Sequence, residues 1–494
     1  MAVRSVPRLV GGERRMPEQG RAVDVLDPSD TRRVVARVPA MSAAEVTELY
    51  EVAGRAADGW RRTGPIGRGA VLARAADLLR ERAGRITADL VAEMGKTLAE
   101  AAGEVAKAAD FFDYYASWAR RPYGQLLADA RPGTETSTRT EPLGVITLIT
   151  PWNDPLITPA RKSAPALFAG NAVVLKPATD TPLVALHLAE VLHDAGLPDS
   201  VFGVALGQAD EISDALLDDP RVAAVSFTGS TAVGRRLQRR LAGRNVRLQT
   251  EMGGKNASAV LADADLALTV PTLAGAVFGQ AGQRCTATSR VVVDRAVADE
   301  VVAGLVSAAA ALRLGPGADP DTTMGPLVGA RRQKEVLGHI RTALEQGATL
   351  AYGGHAPDAG EFEHGCYVEP TVLTDVRPEM AIWREEVFGP VVAVLVVDGL
   401  DEAVEAVEAV EAVNDSVYGL AAAVYTTSLP AAHAFADRAE AGQVSVNLPT
   451  PGWDVHLPFG GFGDSGSPFK EQGSEALRFY TRVKTVAIRH GGSL

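Results

Sequence analysis

Between residues 145 and 249, five short apolar runs alternate with stretches long enough for one helix each: 145–149, 172–175, 201–206, 222–227 and 246–249. Apolar strands joined by helices predict a parallel, doubly wound sheet, because such strands are covered on both faces. In that architecture ligands bind beyond the carboxyl ends of the strands. Three runs end in distinctive residues: Thr150-Pro151-Trp152-Asn153, Lys176-Pro177-Ala178 and Thr228-Gly229-Ser230. The layout is that of a nucleotide site.

A second alternating region, 258–446, has strands near Val291 and Val391 and predicts a separate domain, in keeping with a chain of 494 residues. Ahead of the first sheet, the sequence reads as an extended entry and then amphipathic helices, one opening with the capping box Ser42-Ala43-Ala44-Glu45 and others spanning 68–82 and 98–118. Residues 121–139 turn polar around Pro132-Gly133 and predict an exposed hairpin. Residues 479–488 predict a late strand, whose open edge would pair with another chain. A Glu-Ala-Val repeat over 402–413 predicts a lengthened surface helix.

Composition narrows the function classes. A net charge of -12 argues against nucleic acid as a partner. No apolar run approaches a membrane span and no signal peptide opens the chain, so a cytoplasmic protein without a membrane partner is expected. Two cysteines cannot build a disulfide framework, and no Cys/His cluster has zinc spacing, so no metal is expected. Lysine is scarce, 8 against 41 arginines, and Lys162, Lys176 and Lys255 all fall in the stretches that look most like sites.

Cys285 lies among small and polar residues, Gly282-Gln283-Arg284-Cys285-Thr286. That setting suits a reachable, ionisable nucleophile as well as a core thiol. Cys366, with no supporting constellation, reads as structural. Gly229-Ser230-Thr231-Ala232-Val233-Gly234 follows a strand and opens a helix, so its backbone N–H groups suit a phosphate or serve only the turn. Lys176 is either a ribose or phosphate ligand or a solvated lysine. Glu251, beside Gly253-Gly254, is either a general base acting through water or merely solvated. Asn153 could donate to an oxyanion, with Asp154 before Pro155 the better cap for the following helix.

Taken in order, Pro151-Trp152-Asn153, Lys176-Pro177-Ala178, Phe227-Thr228-Gly229-Ser230, Glu251-Met252-Gly253-Gly254-Lys255, Gly282-Gln283-Arg284-Cys285 and Glu386-Val387-Phe388-Gly389-Pro390 resemble the aldehyde dehydrogenase superfamily over nearly the whole chain. The segment Asn447-Leu448-Pro449-Thr450 to Pro458-Phe459-Gly460-Gly461 and the ending Glu471-Gln472-Gly473 look most like α-ketoglutaric semialdehyde dehydrogenases.

The resemblance implies an α/β fold with a Rossmann-like, doubly wound NAD(P)-binding domain (1–120 and 142–253), an α/β catalytic domain (254–450) and a small β oligomerisation extension (121–141 and 470–494) in a homodimer or homotetramer. It implies NAD(P)-dependent oxidation of an aldehyde to a carboxylic acid. Cys285 would be the nucleophile, Asn153 the oxyanion donor, Glu251 the base that hydrolyses the thioester and Lys162 an aid to proton movement. Lys176 would hold the adenosine ribose, Gly229 and Ser230 the pyrophosphate and Glu386 the nicotinamide ribose. Phe388, Trp152, Pro177, Ala178 and Met252 would line the groove. Thr179 stands where NAD-specific members often carry a glutamate, so use of both cofactors or a preference for NADP is expected.

Asp154 and Arg161 replace the aromatic residues common in the family. Arg161 would bind a substrate carboxylate or pair with Asp154, and Trp453 and His456 are further substrate candidates. A carboxylate-bearing semialdehyde is the expected substrate, with aromatic or small neutral aldehydes the alternative. A CoA-acylating enzyme is disfavoured by Glu251, and a non-catalytic structural relative by the joint presence of Cys285, Glu251 and Asn153.

Overall fold

The computed structural model describes residues 22–490 except 122, 358 and 399–408, together with the backbone of 4–5, 8–10 and 13–15. An antiparallel pair, Ala22–Asp27 (β1) and Asp30–Pro39 (β2), leads into four helices: Ala43–Arg62 (α1), Gly64–Glu81 (α2), Ala83–Met94 (α3) and Leu98–Ala116 (α4). The capping box at Ser42 and Glu45 is present, and Thr97 and Glu100 form a second one at the start of α4. Gly95 closes α3 at φ 84°, a left-handed conformation in which glycine carries no steric cost.

The expected parallel sheet is present. Val145–Ile149 (β5), Ala172–Lys176 (β6), Phe202–Val204 (β7), Val222–Thr228 (β8) and Arg247–Glu251 (β9) follow an exposed hairpin of Gly124–Leu127 (β3) and Thr134–Pro142 (β4). Their order is β7-β6-β5-β8-β9. The order reverses between β5 and β8, and the crevice opens at their carboxyl ends as in other doubly wound sheets. Helices Ile157–Ala169 (α5), Leu183–Asp194 (α6), Ala209–Leu217 (α7) and Thr231–Leu241 (α8) connect the strands. Apolar residues of α2, α4, α5 and α6 pack on one another and on Ile146, Leu148 and Val173 in a single core, to which the tail adds Phe479 and Tyr480.

Beyond β9 a seven-stranded sheet runs β12-β13-β14-β11-β10-β15-β16, built from Ala257–Val260 (β10), Arg290–Asp294 (β11), Thr349–Tyr352 (β12), Thr371–Thr374 (β13), Val391–Val397 (β14), Ala421–Tyr425 (β15) and Gln443–Val446 (β16). It has its own apolar core, which contains Ala409, Val410 and Val413. The described end of the Glu-Ala-Val repeat buries these three residues and exposes Glu411, and residues 402–408 of that repeat lie outside the described residues. Cys366 is buried, as its apolar reading requires. The late strand, Thr481–Arg489 (β17), pairs along its length with β4 of its own chain, in the order β17-β4-β3. The strand expected there is present, and it stands at one edge of this sheet. No described helix is long and apolar enough to cross a membrane, and no cluster of potential metal ligands occurs among the described residues.

Candidate active site

Cys285 sits on the loop after helix Leu266–Phe278, directly below a turn in which Gln280 and Ala281 adopt left-handed conformations at φ 56° and 53°. Such strain in non-glycine residues concentrates at functional sites and persists only where neighbours over-determine it. Here they do. The Gln280 N–H donates to Glu100 Oε1 at 2.6 Å, and its side-chain Nε2 donates to the Asn153 carbonyl at 2.6 Å. The buried Asn256 donates through Nδ2 to the carbonyls of Cys285 and Ala287 at 2.7 and 2.8 Å.

Two cavities meet at the thiol, sharing Cys285, Asp154, Arg161 and Phe459. The first is also lined by Trp152, Asn153, Gly229, Ser230, Glu251, Met252, Glu386 and Phe388. Every one of those residues was singled out from the sequence. The second opens on Lys96, Glu104, Lys107, Arg284 and Trp453. His456 lines neither cavity. Its ring pairs with Asp454 at 3.2 Å and its side chain is more than half exposed, which removes it from the substrate candidates.

The electrostatics differ from a simple picture of an easily ionised cysteine. Burial pushes the Cys285 thiol up, the Asp154 carboxylate adds to the shift, and Arg161 opposes it. Glu251 is buried with Oε2 lacking a hydrogen-bond partner, and burial raises its carboxyl well above the ordinary range, helped by Glu471. A carboxyl whose pKa is raised in this way is a stronger base toward water than an ordinary carboxylate.

Asp154 neither caps α5 nor pairs with Arg161. Its Oδ1 accepts from Lys96 Nζ at 2.8 Å, and Lys96 also contacts Glu104. Glu104 Oε1 takes over the capping role, accepting the N–H groups of Leu156 and Ile157 at 2.8 and 3.0 Å. Arg161 pairs with Glu471 at 3.1 Å and stacks over the Phe459 ring at 4.6 Å. Lys162 is fully buried behind the cavities. It donates to Ser226, Gln249 and Glu471 at 2.8, 3.1 and 2.9 Å, and burial lowers its ammonium pKa.

The dinucleotide candidates divide into two groups. Trp152 and Phe388 meet edge to face at 5.4 Å, and Glu386 accepts the Gly254 N–H at 2.9 Å, with its carboxyl raised by burial. Ser230 opens α8 without a side-chain cap bond, which leaves its hydroxyl to a ligand, whereas the Gly229 N–H is spent on the Glu251 carbonyl at 3.0 Å. Lys176, Pro177, Ala178 and Thr179 lie at the end of β6, outside the lining of the first cavity. Lys176 is buried rather than solvated, and burial brings its pKa down to about 8. Thr179 donates to the Gly207 carbonyl at 3.2 Å.

A thiol between two cavities, a buried carboxyl and an amide are the parts of a covalent aldehyde-oxidising site, and residues 15–486 match the model of the aldehyde dehydrogenase family. The chain belongs to that family. It is an oxidoreductase acting on aldehydes. It is 42% identical over 478 residues to an α-ketoglutarate semialdehyde dehydrogenase of Haloferax volcanii, covering 97% of this chain and 98% of the relative. It is 34% identical to an α-ketoglutaric semialdehyde dehydrogenase of Bacillus subtilis, covering 97% of each. Betaine aldehyde dehydrogenase of Staphylococcus aureus, solved in complex with NAD+, superposes with a TM-score of 0.94 at 30% identity, covering 100% of this chain and 96% of that one.

Among aldehyde dehydrogenase residues that sequence reasoning left without a role, Lys96, Glu104, Gln280, Asn256 and Glu471 stand out. The scarcity of lysine would have flagged Lys96. Nothing marks Glu104, which reads as one more charge on an amphipathic helix.

Proposed function

We propose that this aldehyde dehydrogenase oxidises a semialdehyde that carries a carboxylate, releasing a dicarboxylic acid. The observation that carries the reading is the excess of cations over carboxylates lining the second cavity, Lys96, Lys107, Arg161 and Arg284 against Glu100, Glu104 and Asp154, in a protein of net negative charge. The likeness to α-ketoglutarate semialdehyde dehydrogenases supports it.

A nicotinamide dinucleotide fits the first cavity by the chemistry of its donors: an aromatic pair, a helix N-terminus at Ser230 and the Glu386 carboxyl. When bound, it supplies the acceptor for the two electrons and hydrogen removed from the aldehyde carbon. Lys176 and Thr179 would contact the adenosine ribose, with Pro177 and Ala178 beside them. Thr179 brings no charge to repel a 2′-phosphate, which supports use of NADP as well as NAD.

In this reading Cys285 Sγ attacks the aldehyde carbon while Asn153 Nδ2 and the Cys285 N–H donate to the oxygen that becomes negative. Glu251 then takes a proton from the water that opens the thioester at Sγ. Lys162 holds Glu471, which in turn fixes Arg161 at the cavity wall. The sheet of β3, β4 and β17 exposes Leu126, Leu127, Val483 and Ile488, an apolar surface that supports a homodimer or homotetramer. The NAD(P)-binding, catalytic and oligomerisation roles then fall to 1–120 with 142–253, to 254–450, and to 121–141 with 470–494.

Steady-state kcat/KM over α-ketoglutaric semialdehyde, succinic semialdehyde, betaine aldehyde, benzaldehyde and linear alkanals, with each cofactor, tests the proposal. The carboxylate-bearing aldehydes should lead. A lead for benzaldehyde or alkanals would refute the substrate class, and strict NAD dependence would refute the cofactor reading.

A further inference from the structure

Four cations line the cavity that opens on the side of Cys285 away from Glu386, and three of them already have carboxylate partners. Lys96 lies between Asp154 and Glu104, Lys107 pairs with Asp454 at 2.7 Å, and Arg161 pairs with Glu471. Arg284 alone makes no ion pair among the described residues. Its one side-chain hydrogen bond runs from Nε to Gln280 Oε1 at 3.0 Å, so the two terminal nitrogens of its guanidinium have no acceptor among the described residues.

The Nε contact also fixes the group. Gln280 is itself held through its backbone by Glu100 and through its amide by the Asn153 carbonyl, and the guanidinium rests against the bare Cα of Gly279. A half-buried arginine with its stem anchored and its fork unsatisfied is preorganised for a planar, two-oxygen acceptor. Arg284 borders the second cavity but not the first, so such an acceptor belongs to the substrate rather than to the dinucleotide. Asp154 feels the charge of Arg284 but forms no ion pair with it, its Oδ1 being engaged by Lys96 at 2.8 Å.

We propose that Arg284, the residue next to the nucleophile, binds the remote carboxylate of the semialdehyde and so sets substrate specificity, while Arg161 serves the wall of the site through Glu471. The assignment rests on the carboxylate-bearing substrate class proposed above. It gives the enzyme a carboxylate grip one residue from the thiol, which favours short aldehyde acids that can bend between two adjacent positions.

The test compares succinic semialdehyde with butanal, equal in carbon number, in the wild type, Arg284→Met and Arg284→Lys. In Arg284→Met the preference for succinic semialdehyde in kcat/KM should fall by about tenfold or more, the scale expected for a lost charge-assisted pair, and the loss should lie in KM. Arg284→Lys should recover part of it, because the charge returns without the fork. Added salt should raise KM for succinic semialdehyde in the wild type and not in Arg284→Met. A wild-type preference that survives intact in Arg284→Met overturns the role of Arg284 and leaves the substrate class standing. A wild type that does not distinguish the two aldehydes overturns both.

Discussion

Lys96 Nζ lies 2.8 Å from Asp154 Oδ1, and both the lysine and its second partner Glu104 are buried. Burial would raise the Asp154 carboxyl, but Lys96 more than reverses this and holds it below its ordinary value. Asp154 therefore stays charged at the wall it shares with the Cys285 thiol.

Replacing Lys96 by Met leaves the buried Glu104 and the half-buried Asp154 carboxylates near each other without a cation. Breaking a buried pair in this way costs about 3–5 kcal/mol, to be read from urea unfolding. Adding Asp154→Asn should restore part of that loss, and no recovery in the double variant would show that the pair is not coupled.

Glu104 offers one oxygen to two backbone N–H groups at the start of α5. Glu104→Gln keeps an acceptor there and Glu104→Ala does not. The alanine variant should be the less stable by about 1–3 kcal/mol, the cost of leaving buried donors unmatched. Equal stabilities in thermal unfolding would contradict the capping role.

Both reactive groups must lose a proton, and burial raises the pKa of each. The deprotonated fraction of each group at a given pH is therefore smaller than for an exposed counterpart and grows as pH rises. Alkylation of Cys285 by iodoacetamide, and kcat/KM, should climb steadily from pH 6 to 9. A profile already level at pH 6 would mean that neither group is held protonated.

If Glu251 acts only on the thioester, Glu251→Gln should still release about one equivalent of reduced cofactor per site and then slow by about 10²–10⁴, the usual scale of general-base catalysis. Loss of the burst along with the steady state would place Glu251 at an earlier step.

Thr179→Glu places a carboxylate at the position proposed to contact the adenosine ribose. It should raise KM for NADP by about tenfold relative to NAD, since like-charge repulsion discriminates at that scale. An unchanged ratio would put the 2′-position elsewhere.

Much of this was legible in the sequence. The five strands of the first sheet follow from apolar runs bounded by turn residues, and most of the lining of the first cavity, though not Thr158 or Arg332, falls in motifs at strand ends, where backbone geometry constrains residue type. Polar pairing was harder to foresee. Asp154 before Pro155 has the chemistry of a helix cap, yet Glu104, 52 residues before the donor Leu156, accepts the α5 N–H groups instead. Tertiary distance, not local propensity, decides between such acceptors. The same applies to Arg161, whose partner Glu471 lies 310 residues away.

Glu93, Glu100 and Glu104, all from α3 and α4, accept backbone N–H groups of Leu183 and Val184, of Gln280, and of Leu156 and Ile157. In vectorial synthesis these acceptors leave the ribosome before any of their donors. The polar partners of the site are thus made in the first quarter of the chain, and the segments they hold, Cys285 among the last of the reacting groups, are synthesised after them. The frame closes only when α5, α6 and the tail complete the core that these helices share.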